Sequence, residues 1–310
     1  MERQCQLAEV SRVGFYRYLQ QTKPVEADLL LRARLQELAV GQRRLRGYRP
    51  LTEMLRREGH VVNHKRVLRL MREDNLLSLR RMKYVFTTDS RHDLPIYPNL
   101  ARRVILTKIN QLWVADITYI RLHSEFIYLA VVLDAFSRRV IGWELGRSLQ
   151  GELAVRALRM ALDGRNWKPE ELIHHSDRGV QYASSEYTKL LEEREILISM
   201  SRRGNPYDNA RAERFMRTLK EEQVYGTSYL NLEDARSRIG EFLEQVYNRQ
   251  RLHSALRYLT PEEFEQASGA LESDGAAGSG GKPKAGLPPL PQALEIPPGF
   301  PHFPAPGDGS

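Results

Sequence analysis

Leu112–Ile120 reads LWVADITYI, followed by FIYLAVVLD at Phe126–Asp134 and RVIGWEL at Arg139–Leu145. All three runs are rich in β-branched and aromatic residues, and short polar turns separate them, the pattern of consecutive strands in a meander. In the first run Trp113, Ala115, Ile117 and Tyr119 alternate with Leu112, Val114, Thr118 and Ile120, so both faces are apolar. A strand of that kind is central and covered on both sides. Asp116 lies in its middle. An ionised carboxylate there is costly unless it is paired, protonated or bound to a metal. An internal ion pair with an arginine and a metal site both satisfy that requirement.

Toward the C-terminus the hydrophobic period alternates between helix and strand. A helix over Gln150–Leu162, a short strand in ELIHHS near Ile173, a helix over Ser184–Glu193 and a strand at Ile196–Met200 are expected, then helices near Asn209–Glu222 and Leu232–Asn248. A hairpin series followed by this alternation predicts an α/β fold, a mixed sheet flanked by helices. The order suits a ribonuclease-H-like core. Asp177 follows His174-His175-Ser176 at a strand's C-terminal edge, where α/β sheets commonly place ligands, although an Asx-turn before Arg178-Gly179 is the plainer reading. Adjacent strand residues point to opposite faces, so His174 and His175 do not share one ion; one is expected to be structural and the other near the site.

Toward the N-terminus the character is helical and basic. Asp28–Val40 carries Leu29, Leu30, Ala33, Leu35 and Leu38 at helical spacing. A Gly47–Pro50 turn is expected next, then short amphipathic helices at Leu51–Gly59 and Asn63–Leu76, the latter capped by Asn63. Two short helices with a tight turn and a basic second helix read as a helix-turn-helix, a small all-α domain with Lys65, Arg66 and Arg69 as candidate nucleic-acid contacts. Residues 1–110 hold 23 Lys and Arg against 11 Asp and Glu, an excess of +12, while the remainder holds 24 against 28. The basic surface and the acidic residues of interest therefore lie in different parts of the chain.

The expected organisation is a basic helical region at 1–77, a linker at 78–108 marked by Pro95 and Pro98, a core with its C-terminal helices at 109–268, and a tail at 269–310. That tail has 9 Gly and 9 Pro and too few large apolar groups to offset its ordering entropy, so it is expected to be disordered. The longest apolar run, FIYLAVVL, has eight residues and cannot span a membrane, and the first residues lack a signal-peptide core; a cytoplasmic, nucleoid-associated protein is expected. A single cysteine, Cys5, excludes an internal disulfide framework, and a net charge of +8 favours polyanionic partners.

Glu213 sits in NARAERFMRTLK, a helix whose apolar positions are Ala212, Phe215, Met216 and Leu219. A lone glutamate on a helix is ordinarily solvated. Seven residues on, Lys220 returns to within about 20° of the same face and about 10 Å along the axis, so a carboxylate and a cation share it. Two aspartates and a glutamate are hard oxygen donors, which favour Mg²⁺, with Mn²⁺ as the alternative, over zinc. Two such ions about 3.5–4 Å apart would serve an in-line displacement at phosphorus. Arg202 and Arg203 in SRRGNPYDN, and Arg249 and Arg251 in YNRQRLHSAL, are further candidate phosphate contacts; a solvated basic loop and packing of Tyr247 in the core are the plainer alternatives.

The Asp116, Asp177, Glu213 set has 35 residues between its last two members and Lys220 seven beyond the glutamate. It resembles the DDE catalytic core shared by retroviral integrases and many bacterial transposases. HHSDRGVQYAS, SRRGNPYDNARAERFMRTLKEE and YNRQRLHSALRYLTPEEF, with RGYRPLTEMLRREGHVVNHKRVLRLMRE before the core, are similar to the insertion-sequence-three family, over Cys5 to Phe264. The resemblance implies a polynucleotidyl transferase using water and then a DNA 3′-OH at insertion-element ends. It implies metal binding by Asp116, Asp177 and Glu213, Lys220 near the cleaved phosphate, and a homo-oligomer on DNA. It also implies an upstream-frame product with a helix-turn-helix and zipper, as a fusion or a partner, because this chain begins near the family's second-frame segment.

Overall fold

The computed structural model describes residues 26–41, 45–78, 94–123, 125–167, 171–202 and 206–276, with Cys5, Ser11 and Val13. The chain divides into two compact units, residues 1–80 and 81–310.

The first unit packs α1 (Glu26–Gly41), α2 (Tyr48–Arg57) and α3 (His64–Glu73) around Leu31, Leu35, Leu51, Leu55, Val67, Leu70 and Met71. Asn63 caps α3 as expected, its side chain accepting from the Lys65 amide at 2.9 Å. The Gly47–Pro50 segment is not a separate turn: Gly47 is the extended N-cap of α2, and Tyr48–Pro50 form its first turn. Proline suits that place because its φ is already helical and first-turn amides have no intrahelical acceptor to lose.

In the second unit β1 (Leu112–Arg121), β2 (Phe126–Asp134) and β3 (Val140–Gly146) form the antiparallel meander, and β4 (Ile173–Ser176) and β5 (Leu197–Met200) add parallel strands in the order β3-β2-β1-β4-β5. β1 is thus central, as its two apolar faces require. Leu112, Val114 and Ile120 face a core shared with α6 (Ala210–Leu219), with α7 (Leu232–Glu241) and with the π-helical Phe242–Gln250 that continues α7. Trp113 and Ala115 face α4 (Gly151–Asp163) and α5 (Ser185–Glu192) on the other side. Gly142 lets α4 lie against β3, since a Cβ there would stand 2.2 Å from the Ala157 carbonyl oxygen.

Two stretches differ from expectation. The later part of the segment read as a linker is bound to the core: Leu106 is fully buried, and the Leu100 and Ala101 amides donate to Ser199 Oγ at 2.9 and 3.3 Å. Its apolar residues find a sheet edge that local sequence does not reveal. The last helix, α8 (Pro261–Ala276), runs past the boundary drawn at 269. It is anchored by buried Glu265, which accepts from Ser137 Oγ at 2.6 Å and from Arg139 and Arg165 at 2.8 Å. Residues 277–310 lie outside the described residues.

Candidate active site

The parallel ladder between β1 and β4 pairs Leu112 with Ile173, Trp113 with His174 and Val114 with His175. Continued by two residues, the same offset sets Asp116 beside Asp177, immediately past the end of β4. Paired residues on neighbouring strands share a face about 5 Å apart. Extended in this way, the register brings the two carboxylates to neighbouring positions, and the charge of Asp177 acts on Asp116. The cost is visible at Asp116: its pKa is raised well above the ordinary carboxylate range, first by burial and then by the charges of Asp177 and, more weakly, Glu213. Its Oδ1 accepts from the Ile117 amide at 2.9 Å, a bond that favours the ionised form. Asp177 does form the Asx-turn, Oδ1 accepting from the Gly179 amide at 2.9 Å. That turn fixes the carboxylate where β4 ends, so the plainer reading and the chemical one describe the same geometry.

Glu213 enters from α6 rather than from the sheet. At the head of that helix Asn209 is buried, and its Nδ2 donates to the Ala115 carbonyl at 3.1 Å. The bond ties the start of the Glu213 helix to the residue next to Asp116. Burial raises the pKa of Glu213, and Arg217 one turn on opposes the rise. Among the described residues no three His, Cys, Asp or Glu side chains converge tightly enough to enclose an ion. The acid set is open, with Glu213 its outlying member.

Lys220 is drawn inward. It is only 5% exposed, its Nζ stands 4.5 Å from the centroid of the Tyr119 ring, and burial lowers its pKa while Asp116 supports its charge. The helix widens to π-helical turns over Lys220–Val224 at this point. Tyr182 is buried, its hydroxyl has no hydrogen-bond partner among the described residues, and its ionisation is opposed first by burial and then by Tyr187, Asp116 and Asp177. Sequence reasoning passed over it, since an isolated tyrosine in VQYA looks like core.

Of the tandem histidines, one expected to be structural and the other near the site, both are held in hydrogen bonds of the protein interior. His174 meets the Tyr187 hydroxyl at 2.9 Å and His175 lies between Ser199 Oγ at 2.8 Å and Ser201 Oγ at 3.0 Å. Ser199 Oγ already accepts from the Leu100 and Ala101 amides, so its single proton goes to His175 Nδ1. His175 Nε2–H then donates to Ser201. A neutral ring is thereby fixed, in accord with pKa values lowered by burial to about 3 for His174 and about 4 for His175.

Most arginines expected at nucleic acid are instead ion-paired within the protein. Arg66 and Arg69 both bind buried Asp28 of α1, Arg66 Nε at 2.9 Å and Arg69 Nη2 at 3.2 Å, and Arg69 also reaches Glu73. Arg202 closes its own loop on Asp208 through Nε at 3.1 Å. Arg249 pairs with Glu262 at 3.3 Å, and Arg251 with Glu222 at 2.9 Å while lying over the buried Tyr247 ring. Lys65 is exposed and has no ion pair among the described residues. Arg203 lies outside the described residues. Spacing shows that a cation is present in a motif, whereas a partner far away in sequence decides whether it is free.

A helix-turn-helix-like unit and a mixed sheet with acidic residues at the C-terminal edge of its parallel strands define the integrase-core class of polynucleotidyl transferases. Family models described as integrase core domain match residues 107–206 and 194–261, and an HTH-like domain model matches residues 26–84. The insertion element IS600 uncharacterized 31 kDa protein of Shigella sonnei is 37% identical over 265 residues, 84% of this chain and 97% of that protein. Transposase InsF for insertion sequence IS3A of Escherichia coli (strain K12) is 34% identical over 266 residues, 84% and 92% of the two chains. Among solved structures, the simian T-cell lymphotropic virus intasome in complex with PP2A regulatory subunit B56 gamma matches with TM-score 0.44 and 19% identity, over 81% of this chain and 76% of that one. The HTLV-2 integrase catalytic core domain in complex with magnesium (dimeric form) matches with TM-score 0.39 and 18% identity, over 51% and 97%.

The chain belongs to the IS3 family of insertion-sequence transposases. Its activity is accordingly DNA transposition and integration through the integrase core.

Proposed function

We propose that Asp116, Asp177 and Glu213 are the catalytic carboxylates of a DNA strand-transferase, and that they hold two Mg²⁺ ions, with Mn²⁺ as a substitute, over the scissile phosphodiester. What supports this reading is the β1–β4 register, which continued two residues past Val114–His175 reaches Asp116 and Asp177, and the opposition of both other acids to the charge of Asp116. The donor set is all hard oxygen, and the Tyr182 hydroxyl, without a hydrogen-bond partner among the described residues, feels the charges of two of the acids. When bound, the ions supply Lewis acidity that lowers the cost of negative charge on the entering and leaving oxygens. Asp116 and Asp177 fix the position from the rigid sheet, and Glu213 approaches with its helix. Lys220 supplies positive charge beside Asp116, where a phosphate oxygen gathers charge during displacement. Water attacks phosphorus and the DNA 3′-oxygen leaves; the freed 3′-OH then attacks a target phosphodiester, one P–O bond forming as another breaks.

DNA ends and target DNA are the substrates in this reading, with a homo-oligomer assembled on DNA and an upstream-frame helix-turn-helix/zipper product as fusion or partner. No described helix is long and apolar enough to cross a membrane. A cytoplasmic, nucleoid-associated location fits those substrates. The test is a pre-cut element end offered with target DNA and Mg²⁺. Joined product is expected, and Asp177→Asn should abolish it while leaving DNA binding intact. Cleavage without joining would identify a nuclease, and binding with no chemistry under any divalent metal a regulator; either overturns the proposal.

A further inference from the structure

At the hairpin end that joins β1 to β2, two aromatic rings lie outside both hydrophobic cores of the second unit. The register pairs Tyr119 with Tyr128 and Arg121 with Phe126, so Tyr119, Arg121 and Phe126 share one face of the sheet. The Tyr119 and Phe126 rings meet edge to face, their centroids 5.7 Å apart. A cation stands at each end of the pair: Lys220 Nζ is 4.5 Å from the centroid of Tyr119, and the guanidinium carbon of Arg121 is 5.6 Å from that of Phe126. Arg121 is exposed and forms no ion pair among the described residues, whereas Arg147 closes on Glu125, the residue before Phe126, at 3.2 Å.

Phe126 keeps 48% of its surface in solvent. Phosphate recognition uses cations and other hydrogen-bond donors and has no use for an exposed phenyl ring. A ring flanked by cations suits a flat group carried on a polyanion: every nucleobase has a π-face, and aromatic rings and guanidinium planes both stack on it. A diagonal aromatic pair alone would serve the hairpin, without a cation on each outer side. The place of this pair is a second observation. Lys220 follows directly on α6, the helix of Glu213, and reaches over Tyr119, so the rings begin where that helix ends. Asp116 lies three residues before Tyr119 on β1, about 10 Å at the rise of a strand.

We propose that Tyr119 and Phe126 form a stacking platform for an unpaired nucleobase of a DNA strand whose backbone passes the carboxylates, with Arg121 closing the outer side of the platform. A base reaches the rings only once it is out of the duplex stack, so the surface favours melted DNA over paired DNA. The inference rests on the strand-transferase reading for the course of that strand, but it concerns residues outside the chemistry.

The experiment measures affinity of the full chain for a short oligothymidylate and for an abasic strand of the same length and phosphate count, beside joining of a pre-cut element end with Mg²⁺. The parent is expected to bind the base-bearing strand about 5- to 100-fold more tightly. Phe126→Leu keeps an apolar side chain at the hairpin end and should reduce that preference by at least about fivefold, while affinity for the abasic strand and the thermal midpoint stay parental. Phe126→Trp should retain the preference, and the base-bearing strand alone should quench its added fluorescence. Asp177→Asn should join nothing and keep the parental preference. Equal binding of the two strands by a parent that joins ends, or a parental preference in Phe126→Leu, overturns the platform alone. Failure of the parent to join ends overturns the transferase reading and with it the course assigned to the strand. Equal binding of the two strands, together with binding of a Pro-rich peptide that Phe126→Leu loses, would make the rings a peptide groove and equally refute the inference.

Discussion

Replacing Asp177 by asparagine should stabilise the metal-free protein while abolishing its chemistry. Asp116 on β1 and Asp177 just past β4 each lie two residues beyond the Val114–His175 pair. Two unit charges about 5 Å apart repel by roughly 3 kcal/mol at an effective dielectric of about 20. Asp116 relieves part of that by holding a proton more tightly, and both residues are partly exposed, so a gain of about 1–3 kcal/mol is expected. The Asx-turn survives, since an asparagine side-chain oxygen can accept from the Gly179 amide as Asp177 Oδ1 does now at 2.9 Å. For a unit of this size the midpoint of thermal unfolding should rise by roughly 2–12 °C. The sign with pH follows from the raised pKa of Asp116: the penalty is present above its folded pKa and disappears as pH falls through it. The gain should thus be largest at alkaline pH and shrink on acidification. Calorimetry in chelator across pH measures it. A variant no more stable than the parent at alkaline pH would refute the idea that register forces the acids together.

Gly142→Ala should cost about 2–4 kcal/mol in urea unfolding, because the new Cβ would meet the Ala157 oxygen at 2.2 Å and the Ala161 Cβ at 2.9 Å; a loss below about 0.5 kcal/mol would show that α4 shifts freely. The neutral histidines contribute stability that is present above the unfolded pKa of 6.5 and lost as pH falls through about 4 for His175 and about 3 for His174. By about pH 4 this amounts to roughly 3 kcal/mol for each ring, and His175→Gln should flatten the acid limb of a stability profile; an unchanged limb sinks the assignment. Asp28→Asn should destabilise the helical unit by about 1–2 kcal/mol, read by circular dichroism, since it unpairs Arg66 and Arg69; an unaffected unit would mean the pairs contribute nothing. Mg²⁺ at about 100 times its dissociation constant should stabilise the parent by about 2.7 kcal/mol and Asp116→Asn far less; equal shifts place the ion elsewhere.

The sheet was legible because its signals are local. LWVADITYI announces a strand apolar on both faces, and the structure makes it the central β1. The helix–strand alternation after it is read from periodicity alone. Pro50 misled because proline reads as a turn, whereas the first turn of a helix accepts it. The acids were found through motif and spacing, but their mutual positions come from a ladder offset that no local pattern encodes. The arginines were read least well. Arg66, Arg69, Arg202 and Arg251 stand in basic stretches, yet each has an acid waiting, Asp28 being 38 and 41 residues from the first two.

The three acids are supported in unequal ways. Asp116 lies on β1 and Asp177 in the Asx-turn immediately past β4, so the adjoining ladder and that turn together set their separation. Glu213 depends on α6, whose head is held to β1 by the Asn209–Ala115 bond and whose length is packed through Ala212, Phe215, Met216 and Leu219. The loop before it, from Ser201 to Asn209, has the same β5 end as its origin that supplies Ser201 to His175 and a carbonyl to Arg178 at 2.7 Å. The histidine network therefore braces β4 and β5 where Asp177 leaves one and the path to Glu213 leaves the other. A buried neutral histidine suits that task, since its fixed tautomer links two strands without adding charge beside carboxylates that already repel.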